Sequence, residues 1–328
     1  MRTNIVFLSA PNSLQRYYGS TLLRGQQLSG LLASRLSDRY SVTFTTGGNP
    51  TDSLVVLTKG FLAGASPRSI AGLRKGRNLL LADPVDLGMS ATALAALGTT
   101  VDGFIASSKR QLAALTQLVP DKPCHLVTHN VDQRLPEFVP PADRLRIAYV
   151  GFAQNCRHLD ELSQLAEIVE TAAGGSADAW MARLPEFNCH YALRRPEDPP
   201  GFKSVLVGMF GHEHQPVLFR PSSKGLFRRP RDFIVFKPFT KGFTAAHCGC
   251  PILTERSESD AQFYLPDDYP FFLPAGAWND VSRAIKRISK EFGGKSWHYA
   301  VEIMREIRDR SSSNQIANEF RTMLAHYQ

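Results

Sequence analysis

Short apolar runs of strand length alternate along this sequence with stretches of helical periodicity, and that alternation constrains the fold more than any other feature. Ile5 to Leu8, Val42 to Phe44, Leu54 to Leu57, Leu79 to Leu81, Phe104 to Ala106 and His125 to Thr128 read as buried strands. Between them, Leu22, Leu23, Leu28, Leu31, Leu32 and Leu36 recur at helical spacing, Ser66-Pro67 opens a helix, and an apolar-periodic helix runs through Leu118. Strands alternating with helices call for parallel pairing, because each crossover helix returns the chain to the same end of the sheet.

Leu135-Pro136 through Pro140-Pro141-Ala142 breaks the pattern with three prolines and no periodicity. The alternation then restarts. Arg146 to Gly151 is a strand ending on glycine, and Leu159, Leu162, Leu165, Ile168 and Val169 are spaced as an amphipathic helix. His190 to Leu193, Phe233 to Phe236 and Pro251 to Leu253 read as further strands. Helices follow from Asn279-Asp280, from Trp297 to Arg308, and after the Ser311-Ser312-Ser313 interruption. The chain of 328 residues thus divides into two α/β halves, 1–142 and 143–310, with a terminal helix over 311–328.

Ligands of open α/β sheets bind beyond the carboxyl ends of the strands, which selects the loops to read. In the second half, Lys237-Pro238-Phe239-Thr240-Lys241-Gly242 links a strand to a helix start. Two ammonium groups, a hydroxyl and the free N–H groups of a helix start make an anion site, although a solvated turn would look similar. Arg157 follows the first strand of that half and is a second phosphate candidate. Glu255 and Glu258 follow the Pro251 strand, where a carboxylate can accept from ribose hydroxyls. In the first half the strand-end loops carry Gly19 and Ser20, Asp83 and Asp86, Ser107, and the run His129-Asn130-Val131-Asp132. Asp83, Asp86 and His129 are the general-base candidates there.

The formal net charge of +8 favours anionic partners without choosing among them. Basic clusters at Arg228-Arg229-Pro230-Arg231, Lys286-Arg287 and Arg305 to Arg310 keep open a nucleic-acid partner or peripheral contact with an anionic membrane. The clusters lack the interleaved aromatics that stack on bases. Five scattered cysteines do not form a disulfide framework, and neither Cys248-x-Cys250 with His247 nor His212-x-His214 has the spacing of a common zinc site. No run reaches the length of a membrane span, and the expected setting is cytoplasmic.

Four stretches carry a family resemblance. VDGFIASSKRQLAAL with HLVTHNVD, then RIAYVGFAQNCRHLDEL, KPFTKGFTAAHCGCPIL and SSSNQIANEFRTMLAHY resemble the corresponding parts of GT-B glycosyltransferases, of the group 1 type. The resemblance implies two facing Rossmann-like domains with a cleft between them and a C-terminal helix crossing back to the first domain. It implies a nucleotide-sugar donor such as a UDP- or GDP-sugar, held as substrate by the second domain, with no cofactor and no metal. The acceptor hydroxyl would belong to a glycan, a lipid-linked or small molecule, or a modified nucleic acid. The paired glutamates common in retaining members fall here on Phe236 and Thr244. Lys237 and Lys241 would then stabilise the leaving diphosphate, and a nucleotide-sugar epimerase of the same fold is the nearest alternative.

Overall fold

A computed structural model describes residues 3–13, 18–151, 153–170, 177–193 and 236–328. The expected strand at Phe233 to Phe236 lies largely outside the described residues, as do His212, His214 and the Arg228 to Arg231 cluster. The described chain forms two compact units. The first takes in residues 3–130, 236–238 and Ser312–Gln328; the second takes in residues from Val131 to 193 and Phe239–Ser311.

The first unit is a six-stranded parallel sheet in the order β2-β1-β3-β4-β5-β6. Its strands are β1 (Thr3–Leu8), β2 (Tyr40–Thr45), β3 (Ser53–Thr58), β4 (Leu79–Asp83), β5 (Gly103–Ala106) and β6 (Cys124–Leu126). A strand buried on both faces needs a continuous apolar run, and β3 is buried throughout and apolar from Leu54 to Leu57. Ile5, Phe7, Leu54 and Val56 point into one core; Leu8, Val55 and Leu57 point into the other.

Helix α1 fills the first of these cores. It runs through Tyr18–Ser20, a π-helical segment Thr21–Gln27 and Leu28–Arg35. The other face is covered by α2 (Lys59–Leu62), α3 (Pro67–Ala71), α4 (Ala91–Gly98) and α5 (Lys109–Leu118). The Ser66-Pro67 start closes a capping box with Ser69.

In the second unit the strands are β7 (Ile147–Gly151), β8 (Ala166–Glu170), β9 (Cys189–Tyr191) and β10 (Ile252–Leu253), in the order β10-β9-β7-β8, again parallel. The predicted helix over Leu159 to Val169 stops after one turn, α6 (Leu159–Leu162), and Ile168 and Val169 lie in β8, paired with Tyr149 and Val150. The apolar spacing fitted a helix, yet β-branched Ile168 and Val169 suit a strand, and Leu165 between the two elements is 40% exposed. Helices α7 (Ala177–Met181), α8 (Thr240–His247), α9 (Ala261–Tyr264), α10 (Trp278–Lys290) and α11 (Lys295–Arg310) complete the unit. The Arg305 to Arg310 cluster lies along α11, where Arg305 pairs with Glu302 and Arg310 with Glu306 on a solvated face. No helix among the described residues is long and apolar enough to cross a membrane.

The last helix, α12 (Ser313–Ala325), begins at Ser312, whose hydroxyl accepts from the Gln315 N–H. It belongs to the first unit. Ile316, Phe320, Met323 and Leu324 enter the core beneath α1, and Phe320 stacks on Phe7 with centroids 5.9 Å apart. Phe320→Ala is therefore expected to cost about 3–5 kcal/mol of unfolding free energy. A urea midpoint matching wild type would show that α12 adds little to that core.

Candidate active site

Both sheets reverse their strand order at one point, between β1 and β3 in the first unit and between β7 and β9 in the second. Such switch points open a crevice at the carboxyl ends of the strands, because the flanking helices leave on opposite faces.

At the second unit's switch point, Lys241 occupies the first turn of α8. Its ammonium donates to the Val150 carbonyl at the end of β7 and lies over the Tyr149 ring, 3.9 Å from the centroid. Gly151 makes room for it. Its φ is +151°, and a Cβ there would sit 2.6 Å from the Lys241 Nζ. Gly242, one residue on, is packed beneath the Phe239 ring, which an added Cβ would meet at 2.0 Å. Thr240, half-buried, is the first residue of the helix. The run Thr240-Lys241-Gly242 thus sets a cation and the N-terminal end of a helix at one strand end.

Two of the other second-unit candidates are engaged with each other. Arg157 Nη1 donates to Glu255 Oε1, and both side chains are largely buried. The Arg157 N–H also donates to the Leu193 carbonyl after β9 at 3.1 Å. The expected phosphate ligand and the expected ribose carboxylate therefore form one ion pair across the ends of β7, β9 and β10. Glu258 is half-buried, and its Oε1 accepts from the Ser259 hydroxyl at 3.2 Å. Asp132 accepts from Arg134 at 2.6 Å. His158 and Ser259, next to Arg157 and Glu258, hold φ of +59° and +49°, the left-handed region in which few side chains rest without constraint.

His190 on β9 is buried, and burial together with the Lys241 charge lowers its pKa to about 3. Cys248 and Cys250 lie in an apolar cluster with Leu135, Met181 and Leu184; burial pushes the Cys248 thiol up to about 12. Among the described residues no group of three His, Cys, Asp or Glu side chains is placed to hold a metal ion.

In the first unit, hydroxyls gather at the switch point. Ser9 donates to Ser13 at 2.7 Å, Thr58 donates to Ser9 at 3.0 Å, and Thr21 bonds the Ser13 carbonyl at 3.3 Å. Gly60 is wedged among them, with no space for a Cβ. Gly19 has open space around it and Ser20, half-buried, precedes the π-helical segment.

The ionisable candidates lie at the ends of β4 and β6. Asp83 is fully buried, accepting from Arg24 Nε at 3.1 Å; burial pushes its carboxyl up, against the pull of the guanidinium. Asp86 accepts from the Lys59 ammonium at 2.6 Å. Burial opposes ionisation of Asp86, but the charges of Lys59 and Lys237, the Lys59 hydrogen bond and His129 together lower its pKa to about 2. Lys237 thus acts electrostatically within the first unit. Between Asp83 and Asp86, Val85 holds a φ of +51°, an outlier for a β-branched residue.

His129 is 4% exposed, and its Nδ1 lies 2.8 Å from the Asn130 carbonyl. A carbonyl only accepts, so Nδ1 carries the hydrogen and Nε2 holds the lone pair. Burial and the Arg24 charge lower the imidazole pKa to about 4, so it is neutral at about pH 7. Ser107 donates both its N–H and its hydroxyl to Gln111 Oε1, which commits it to the start of α5. Lys59, Tyr149 and the hydroxyl cluster were not singled out from sequence. Nothing in a single lysine or tyrosine marks it as lying at a switch point before the strand order is known.

No protein-family model matches this sequence, and no curated protein matches it. Solved structures do. HepE from Anabaena, in complex with UDP, is similar over 99% of this chain and 100% of its own, with a TM-score of 0.58 at 11% identity. The sucrose-phosphate synthase of Thermosynechococcus elongatus is similar over 99% of both chains, with a TM-score of 0.56 at 14% identity. The lipopolysaccharide outer core galactosyltransferase WaaB, in its apo form, is similar over 99% of this chain and 100% of its own, with a TM-score of 0.51 at 13% identity. Two parallel α/β sheets, with the last helix packed into the first unit, define the class. Within it, the chain has the GT-B glycosyltransferase fold.

The Asp86 pair has a measurable pH signature. A folded-state pKa held near 2 means that the pair contributes stability above the ordinary carboxylate value and loses it as pH falls from about 4 to 2. Between about pH 5 and pH 2 the wild type is expected to lose about 2 kcal/mol more unfolding free energy than Asp86→Asn. Equal losses in urea titrations would contradict the pairing.

Proposed function

We propose that this protein is a glycosyltransferase that takes its sugar from a nucleotide-diphosphate sugar and passes it to an acceptor hydroxyl. The observation that carries the reading is Lys241 at the switch point of the second sheet. An ammonium group and the positive end of α8 meet there at a strand end, where a leaving diphosphate gains most from fixed positive charge. The GT-B fold supports it, and HepE in its complex holds UDP, so UDP is the first nucleotide to test. Arg157 and Glu255 then serve as one preformed pair beneath the nucleotide, with Thr240 and Gly242 shaping the helix start.

Among the three first-unit candidates for a base, His129 is the best fitted. Asp83 is tied to Arg24, and Asp86 with a pKa of about 2 is a poor proton acceptor. His129 is neutral at about pH 7 and offers a lone pair at Nε2. In the reaction the acceptor oxygen bonds the anomeric carbon and the bond from that carbon to the phosphate oxygen breaks. The hydroxyl proton passes to His129, and the nucleoside diphosphate leaves. Neither a metal nor a cofactor has a part in this scheme, because Lys241 and the helix end supply the positive charge.

Isothermal titration of the nucleoside diphosphates is the direct test. UDP is expected to bind, and Lys241→Ala to weaken it by about tenfold or more, the loss of one charge-assisted contact. Absence of binding by every nucleoside diphosphate, or unchanged affinity in Lys241→Ala, would remove the basis for this function.

A further inference from the structure

The π-helical segment of α1 carries a buried arginine that the transfer scheme leaves without a role. Arg24 has no exposed surface. Its Nε donates to Asp83 at the end of β4, and its Nη1 donates to two consecutive carbonyls, Val127 at 2.9 Å and Thr128 at 3.1 Å. The next residue is His129. A guanidinium is a rigid planar fork with donors at fixed angles, so these bonds fix the β6 end relative to the β4 end in a way that a flexible ammonium would not.

The strand end is gripped from the other side as well. Glu319 of α12 accepts from the Thr128 N–H at 2.7 Å and from its hydroxyl at 3.0 Å. Every backbone polar group of Thr128 is thereby committed, to α1 on one side and α12 on the other. The π-helical geometry fits this task. Widening one turn re-aims a side chain that a regular helix would point elsewhere, and such turns occur disproportionately at functional sites. Gly25 beside Arg24 is buried against the Phe44 ring, which an added Cβ would meet at 2.7 Å, so the segment lies close on the sheet.

We propose that Arg24 is a positioning residue for His129: by tying the Val127 and Thr128 carbonyls to Asp83, it sets where the imidazole stands. The role in turnover rests on the proposed function above; the placement itself does not. The charged groups that act on the imidazole are Arg24 from α1, Lys59 from α2 and Asp86 from the loop after β4. Lys237 acts on Asp86, Asp83 neutralises Arg24, and Glu319 from α12 faces the neighbouring Thr128.

Arg24→Lys and Arg24→Met in the full chain separate position from charge. The first readout needs no turnover. The His129 Cε1 proton is followed by NMR through a pH titration, assigned by its loss in His129→Gln. Arg24→Lys keeps the charge but cannot span both carbonyls and Asp83, so its resonance shifts while its midpoint stays near that of wild type. Arg24→Met removes the charge, and its midpoint rises by about one pH unit or more.

In turnover, Arg24→Lys is expected to lower kcat by about tenfold or more, as a misplaced base does, with the donor KM within about twofold of wild type. Should Arg24→Met fail to fold, Glu319→Gln loosens the same Thr128 and is expected to shift the same resonance. An unmoved His129 resonance in folded Arg24→Lys and Glu319→Gln overturns the proposal, as does an unchanged kcat in an active Arg24→Lys enzyme. A wild type that transfers no sugar defeats the proposed function alone, and the NMR still decides whether Arg24 places His129.

Discussion

A parallel sheet must be covered on both faces, and most of this structure follows from that requirement. The interior of β3, Leu54 to Leu57, spends every side chain on one core or the other, which leaves its polar Ser53 and Thr58 at the two ends. Polar groups are pushed to the strand ends, where the chain leaves the sheet and the cores stop. The helices that cover the faces leave in opposite directions at one point in each sheet, which concentrates free space and helix dipoles there. The position of Lys241 and the cluster around His129 are consequences of covering a parallel sheet before they are features of any reaction.

Charge at those ends is paired as it is buried. Arg24 with Asp83, Lys59 with Asp86 and Arg157 with Glu255 each put an ion pair where one strand end meets another element. An unpaired charge at such depth would be prohibitive, and a pair repays much of the cost only if its geometry is held. Backbone outliers lie beside these pairs: Val85 stands between Asp83 and Asp86, His158 follows Arg157. Strain of this kind persists where surrounding bonds over-determine the conformation, and the Val85 carbonyl accepts from the Gln111 side chain.

The strands of the first unit were legible because their signal is local. Continuous apolar runs such as Leu54 to Leu57 and caps such as Ser66-Pro67 need no partner to be recognised. The fold class followed from their alternation, and the GT-B resemblance of four loose stretches agrees with the fold found in HepE and WaaB. The β8 strand was missed because Leu159, Leu162, Leu165 and Ile168 mimic helical spacing, and only pairing with β7 decides the matter. At the site, the sequence pointed to loops but not to what each side chain bonds. Arg157 and Glu255 are 98 residues apart, and no local pattern says that one will use up the other. In sequence Arg24 reads as one residue of a helical stretch, and only the π-helical turn and the strand ends it bridges give it meaning.

The terminal helix has a consequence for how the protein is made. Thr128 and Glu319, which bond each other, are separated by 191 residues, and everything in the second unit lies between them in the chain. A ribosome therefore delivers the whole second unit before the last helix of the first. Until Ile316 to Leu324 emerge, the core beneath α1 stands open along the flank that Phe320 closes. The unit made first is thus the unit completed last, and throughout synthesis its exposed apolar flank is what a chaperone would meet.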